Sequence, residues 1–169
     1  MQCVSSENHD TWPDCLIWDE LTLRLGGARE LARGKILQKS YTPMRAFVAE
    51  PMQSGRLFIA GDAAHIVPPT AAKGMNLAMA DALVLADALA DHFIRQDEVK
   101  LHNYTDTCLR RVWRAQHFSW WLTNLMHADV QRHTFNLRRQ SAEIDHLLSS
   151  RAAMTALAEN FCGVSYDQA

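Results

Sequence analysis

One segment, residues 55–76, constrains the fold of this chain more than any other. It begins with a short apolar run, residues 57–60, which predicts a buried strand that ends at Gly61 and Asp62. Two consecutive prolines then stiffen the connection, because their rings fix the backbone. A long helix is predicted to follow, so we expect a strand end and a helix start to lie close together in space.

The helix after this segment is predicted over residues 76–92, with Asn76 as its N-cap, because an Asn side chain can accept from a first-turn amide. The amides of a first turn together carry about half a positive charge. A carboxylate such as Asp62 accepts hydrogen bonds from hydroxyl groups. The segment therefore predicts a binding site for a molecule that carries both hydroxyl groups and negative charge.

Outside this segment the chain is predicted to be mostly helical. A first helix is expected from Trp12 to Gly26, and a strand from Ser40 to Ala49 is expected to be interrupted by Pro43. Residues 2–4 are predicted to be the end of another strand. Further helices are predicted over residues 101–127, 137–149 and 151–160. The predicted fold class is α/β, with a few strands followed by a mostly helical half.

Charge and cysteine content exclude several classes of function. The chain has 17 Lys and Arg against 19 Asp and Glu, a net charge of −2, so bulk charge does not favour nucleic acid binding. Its 4 cysteines form no C-x-x-C pair, so no metal site or redox dithiol is predicted. We expect them to be buried and unreactive. With no signal peptide or membrane span in the sequence, we expect a cytoplasmic protein that does not bind membranes.

Residues 55–76 resemble the second flavin motif of the FAD-dependent aromatic hydroxylases. Residues 110–115, 118–121 and 158–161 resemble the carboxyl-terminal half of the members that act on 4-hydroxybenzoate. The resemblance covers essentially the whole chain. It implies an FAD-dependent enzyme that uses NADPH and oxygen to hydroxylate an aromatic acid, and that forms a homodimer.

The resemblance also assigns roles to individual residues. Asp62 is implied to hold the ribityl chain of FAD, and backbone amides at the helix start to meet the pyrimidine edge of the flavin. Pro69 is implied to shape the substrate pocket, with a backbone oxygen near the phenol, and Arg45 to contact NADPH. The implied cofactor-binding residues are Gly61, Asp62, Gly74, Met75 and Asn76.

Phe161 departs from the pattern of the family. At its position the family usually has a tyrosine in the proton relay that removes the phenol hydrogen. Phenylalanine has no hydroxyl group, so the relay implied here lacks one link. This departure leaves open a related ring as the substrate, such as an aminobenzoate or another hydroxybenzoate.

The sequence contains no G-x-G among its 7 glycines, so the Rossmann fingerprint that binds the FAD pyrophosphate is absent from it. We therefore expect the carboxyl-terminal part of a hydroxylase, without the amino-terminal Rossmann unit. The predicted parts are the end of the substrate-binding sheet region with a helix (1–52), the second FAD motif (53–95) and a helical region (96–169). A catalytically inert helical interaction module is the alternative. For His65 a structural hydrogen bond is favoured over a role as a base.

Overall fold

The computed structural model describes residues 12–26, 31–41, 43–127 and 134–163. The strand predicted at residues 2–4 lies outside these ranges. The chain divides into two compact units, Met1–Pro43 and Met44–Ala169. The boundaries predicted at residues 52 and 95 stay predictions.

The described residues of the first unit include the helix α1 (Asp14–Arg24), which confirms the helix predicted there. It ends where Gly26 adopts a φ of +79°, a backbone conformation that favours glycine. None of the residues of α1 is buried, and polar contacts fasten the following segment to it. Trp18 donates to the carbonyl of Gly34 at 3.2 Å, and Arg33 pairs with Asp19 at 2.6 Å.

The strands of the second unit are short. β1 (Phe47–Val48) pairs antiparallel with β4 (His65–Ile66), and β2 (Gln53–Ser54) forms a hairpin with β3 (Leu57–Phe58). The strand predicted over residues 40–49 is therefore limited to β1. The prediction of a buried strand at 57–60 is wrong. Only Leu57 and Phe58 form a strand, Leu57 is 65% exposed, and residues 58–60 are half-buried, because the hairpin is made of two-residue strands.

Helices make up most of the second unit, which confirms the predicted mostly helical half of an α/β chain. They are α2 (Gly74–Ala90), α3 (Val99–His102), α4 (Tyr104–Met126), α5 (Thr134–Ser149) and α6 (Arg151–Cys162). A π-helical turn, Asp91–Arg95, extends α2. Within the described ranges, no helix combines the length and the apolar character needed to cross a bilayer.

The core of this unit lies between the short strands, α2 and α4. Buried side chains from the two helices and from the residues that precede β2 and β4 meet there: Met52, Ala64, Val84, Tyr104 and Cys108. A smaller cluster packs Val67 against Leu77 and Ala115. α2 and α4 therefore form the rigid support beneath the segment that carries the predicted site.

The start of α2 differs from the prediction. The helix begins at Gly74, so Asn76 is its third residue, and the prediction of Asn76 as the N-cap is wrong. The reason lies in the loop, where Ala72 takes a left-handed conformation (φ +50°) and closes a short 3₁₀ turn by donating to the carbonyl of Pro69. The backbone is already helical at Lys73, three residues before the predicted start at Asn76.

The cysteines only partly follow the expectation. Cys108 is buried in the core, as expected. Cys15 and Cys162 are exposed, so the expectation of burial is wrong for them. Cys15 lies on α1, which has no buried residue, and Cys162 is the last residue of α6.

Candidate functional site

The turn after β3 presents a carboxylate to solvent. Gly61 opens a 3₁₀ turn with a φ of +60°, and a Cβ at this position would lie 3.1 Å from the Cβ of Ala78 on α2. Both the backbone conformation and the close approach to α2 therefore favour glycine. Asp62 follows and is exposed. No described residue donates a hydrogen bond to its carboxylate, which leaves that group able to accept from a ligand.

The proline loop lies between this turn and α2. Pro69 is exposed and begins the 3₁₀ turn Pro69–Ala71. Its carbonyl accepts the amide of Ala72 at 2.9 Å, and a second lone pair stays available for a further donor. Thr70 anchors the loop to α4 through a hydrogen bond to Thr123 at 2.6 Å between the two hydroxyl oxygens.

The first turn of α2 offers backbone donors. The amides of Gly74, Met75 and Asn76 belong to the first turn, where an α-helix provides no internal acceptors. The Lys73 side chain does not cap them. Met75 is 73% exposed, so its side chain packs little against the described protein. A Cβ at Gly74 would meet only Val67, at an ordinary 3.8 Å, so packing within the protein does not require glycine there.

Lys73 joins this loop to the last helix. Its ammonium donates to the backbone carbonyl of Phe161 and lies 5.6 Å from the centroid of the Phe161 ring. The same ammonium is 5.9 Å from the ring of Phe118, and the two rings pack edge to face with centroids 6.4 Å apart. The structure thus brings Phe161 to the residue that precedes the predicted cofactor-binding amides.

A cavity of about 370 Å³ adjoins the same elements. It is lined by Asn76 on α2, by Arg111 and Arg114 on α4, and by residues at the end of α6. Arg114 also donates to the side chain of Asn160 at 3.3 Å. The cavity therefore combines an apolar wall with cationic groups, which suits an organic anion.

Arg45 is not brought to this group of residues. It is exposed and precedes β1 by two positions, and no contact in the described part of the chain joins it to Asp62 or to the start of α2. Its predicted contact with NADPH stays a prediction.

A buried pair beneath the turn was only half predicted. His65 lies 2.7 Å from Asp81, measured from Nε2 to Oδ2, and both side chains are buried. The structural hydrogen bond favoured for His65 is thereby confirmed. Asp81 was not singled out by the sequence analysis, although a signal exists: it occupies a core position of α2 between Leu77 and Val84. Lys73 was missed as well.

Comparison with known proteins agrees with the site. Residues 1–119 match the model of a family described as FAD binding domain. The p-hydroxybenzoate hydroxylase of Acinetobacter baylyi is 42% identical over 169 residues, which cover 99% of this chain and 42% of that protein. The putative FAD-dependent monooxygenase YetM of Bacillus subtilis is 32% identical over 115 residues, covering 60% of this chain and 31% of that protein.

A third relative matches over a shorter stretch. The 6-methylpretetramide 4-monooxygenase of Streptomyces rimosus is 58% identical over 40 residues, or 24% of this chain and 7% of that protein. The chain spans less than half the length of each of these relatives. The family model matches well over half of this chain. This chain belongs to the FAD binding domain family.

Proposed function

We propose that this chain forms the carboxyl-terminal part of a flavin monooxygenase that hydroxylates 4-hydroxybenzoate to 3,4-dihydroxybenzoate with NADPH and oxygen. One observation carries the proposal: the exposed Asp62 carboxylate and the uncapped first turn of α2 are presented by two elements that pack against each other. The 42% identity to p-hydroxybenzoate hydroxylase over nearly the whole chain supports this choice of substrate.

The exposed groups suit FAD. The Asp62 carboxylate can accept hydrogen bonds from the ribityl hydroxyls, and the amides of Gly74, Met75 and Asn76 can donate to the carbonyl oxygens of the flavin pyrimidine. The positive end of the α2 dipole favours negative charge at that edge. When bound, FAD supplies the redox chemistry, taking electrons from NADPH and activating oxygen. An exposed cation such as Arg45 suits the phosphates of NADPH.

The same geometry supports proposed roles toward the substrate for Pro69 and Phe161. The free lone pair of the Pro69 carbonyl can accept the phenol hydroxyl and so orient the ring. Phe161 lies near the start of α2 but can neither donate nor accept a proton through its side chain. In this chain the phenol proton therefore leaves through water or another group, which slows phenol activation.

Phe161 also supports a second candidate function. If the enzyme acts on a ring that needs no phenol deprotonation, such as an aminobenzoate, the hydroxyl of a tyrosine is dispensable at this position. Comparing product formation from 4-hydroxybenzoate and from 4-aminobenzoate decides between the two substrates. A catalytically inert helical module would form neither product.

The experiment is a flavin titration of two proteins. The first is the 169-residue chain, and the second, called the joined enzyme, links this chain to the part of the Acinetobacter relative that it does not cover. We expect the joined enzyme to bind one FAD and to form 3,4-dihydroxybenzoate, whereas the chain by itself binds FAD weakly. A folded joined enzyme that binds no FAD would exclude the proposed function. Stoichiometric FAD on the chain by itself would show that it needs no further part.

A further inference from the structure

A buried carboxylate on α2 contacts the turn that carries Asp62. Asp81 is 2% exposed, and its Oδ2 accepts the backbone N–H of Gly61 at 3.0 Å. The same oxygen lies 2.7 Å from Nε2 of His65, which is 1% exposed. Because an ionised carboxylate only accepts, we assign the proton of this contact to Nε2. Two donors from the turn region therefore converge on one oxygen of α2.

α4 packs against these elements. Its Cys108 is buried in the core, and burial, followed by the charge of Asp81, raises the pKa of the thiol to about 12, so the thiol stays protonated. Tyr104, one turn earlier on α4, donates to the carbonyl of Ile59 at 3.0 Å. Asp81 thus joins the Gly61 turn to α2, and Tyr104 joins the strand end to α4, each through a hydrogen bond.

The position of Asp81 on α2 gives this network a function beyond packing. Asp81 lies about two helical turns after the first-turn amides, and Gly61 immediately precedes Asp62. The turn also touches α2 at Ala78. Because a helix is rigid over two turns, a turn fastened at these two points keeps a fixed spacing between the Asp62 carboxylate and the amides.

We propose that Asp81 is a positioning residue of the flavin site, with His65 as its hydrogen-bonding partner. It holds the Gly61–Asp62 turn against α2, so that the carboxylate and the first-turn amides of α2 bind the same FAD molecule. This inference rests on the proposed function. Preorganisation of this kind strengthens binding because less conformational freedom is lost when the ligand arrives.

The first test compares two substitutions on α2 in the joined enzyme. Asp81→Asn keeps the shape of the side chain but removes the negative charge of the carboxylate that accepts hydrogen bonds from Gly61 and His65. We expect it to raise the Kd of FAD at least about tenfold and to speed hydrogen exchange of the Gly61 amide. Asp87→Asn is the control, because Asp87 is exposed on the same helix and pairs with Lys100. We expect the control to leave the Kd of FAD unchanged.

A second pair keeps the test decisive if Asp81→Asn does not fold. His65→Gln preserves an N–H donor near the position of Nε2, whereas His65→Leu fills the space without donating. A positioning role predicts that His65→Leu raises the Kd of FAD about tenfold, whereas His65→Gln keeps the Kd near the wild-type value. Equal values for the two variants, or tighter binding with Leu, would show that His65 and Asp81 only fill the core.

The outcomes separate this inference from the proposed function. A wild-type joined enzyme that is folded but binds no FAD overturns both. A wild-type enzyme that binds FAD, with variants of Asp81 and His65 that bind it equally well, overturns the positioning role and leaves the proposed function standing.

Discussion

Under the proposed function, Asp62 contributes to FAD binding through a single exposed carboxylate, so substitution can measure that contribution. A hydrogen bond to a charged group contributes about 1.5 to 3 kcal/mol. We therefore expect Asp62→Ala in the joined enzyme to weaken FAD binding roughly 10- to 100-fold, measured by flavin fluorescence titration. Asp106→Ala, which removes another exposed carboxylate, on α4, is the matched control. A Kd for FAD that stays at the wild-type value in Asp62→Ala would contradict this role.

The chemistry available at position 161 depends on one hydroxyl group. A positioned proton-transfer group contributes about 100-fold or more to a reaction rate, so Phe161→Tyr should increase the coupling of NADPH oxidation to hydroxylation. The measurement is the ratio of 3,4-dihydroxybenzoate formed to NADPH consumed by the joined enzyme. Phe135→Tyr adds the same hydroxyl at a ring that is 69% exposed on α5 and should change nothing. Unchanged coupling in Phe161→Tyr would remove the relay hypothesis.

Among the elements, the first turn of α6 is stabilised by the serine that precedes it. The Ser150 hydroxyl accepts the amide of Ala153 at 3.3 Å, and losing such a cap costs about 1 kcal/mol. We expect Ser150→Ala to speed amide exchange in the first turn of α6. Ser149→Ala is the control, because Ser149 is the last residue of α5 and donates to the carbonyl of Asp145. Equal exchange in both variants would show that the cap does not stabilise α6.

Asp91, at the end of α2, makes a pH-dependent contribution to the free energy of unfolding. The hydrogen bond from Lys100, together with the charge of Arg95, holds the pKa of Asp91 below its ordinary value. A carboxyl whose pKa is lowered on folding stabilises the fold above its unfolded pKa, near 3.8, and this stabilisation is lost as pH falls through the folded pKa. Asp91→Asn should therefore lower the free energy of unfolding at pH 7, measured by urea denaturation.

The comparison across pH checks the sign of this prediction. The difference between Asp91→Asn and the wild type should shrink as both are acidified below the folded pKa of Asp91. Glu159→Gln, an exposed carboxyl on α6, should show no such difference at either pH. A deficit in Asp91→Asn that stays constant on acidification would contradict the proposed electrostatic origin.

At the scale of the whole molecule, local patterns were predicted well and distant contacts were not. The predicted helices lie within a few residues of the observed ones, because helical periodicity is a property of neighbouring residues. The start of α2 was misplaced because the left-handed Ala72 leaves no pattern in the side chains. His65 and Asp81 are separated by 16 positions in the sequence, and Lys73 and Phe161 by 88, so neither contact could be predicted from neighbouring residues.

The roles predicted for the site residues stay predictions, but the expected packing of the strand-end turn against the following helix is observed. The turn contacts α2 at Ala78 and Asp81. The buried carboxylate that fastens them, Asp81, was not predicted, because a single acidic residue in an apolar stripe reveals no partner until the fold supplies Gly61 and His65. Family membership, by contrast, followed from the motif and is supported by the match over residues 1–119.

The contact between Lys73 and Phe161 uses the backbone carbonyl of the latter residue and not its ring. Every amino acid has that carbonyl, so the attachment of α6 to the proline loop does not depend on which side chain stands at position 161. Tyrosine and phenylalanine can therefore exchange at this position while the loop stays anchored. Under the proposed function, such an exchange changes the route of the phenol proton without changing the architecture that holds the loop.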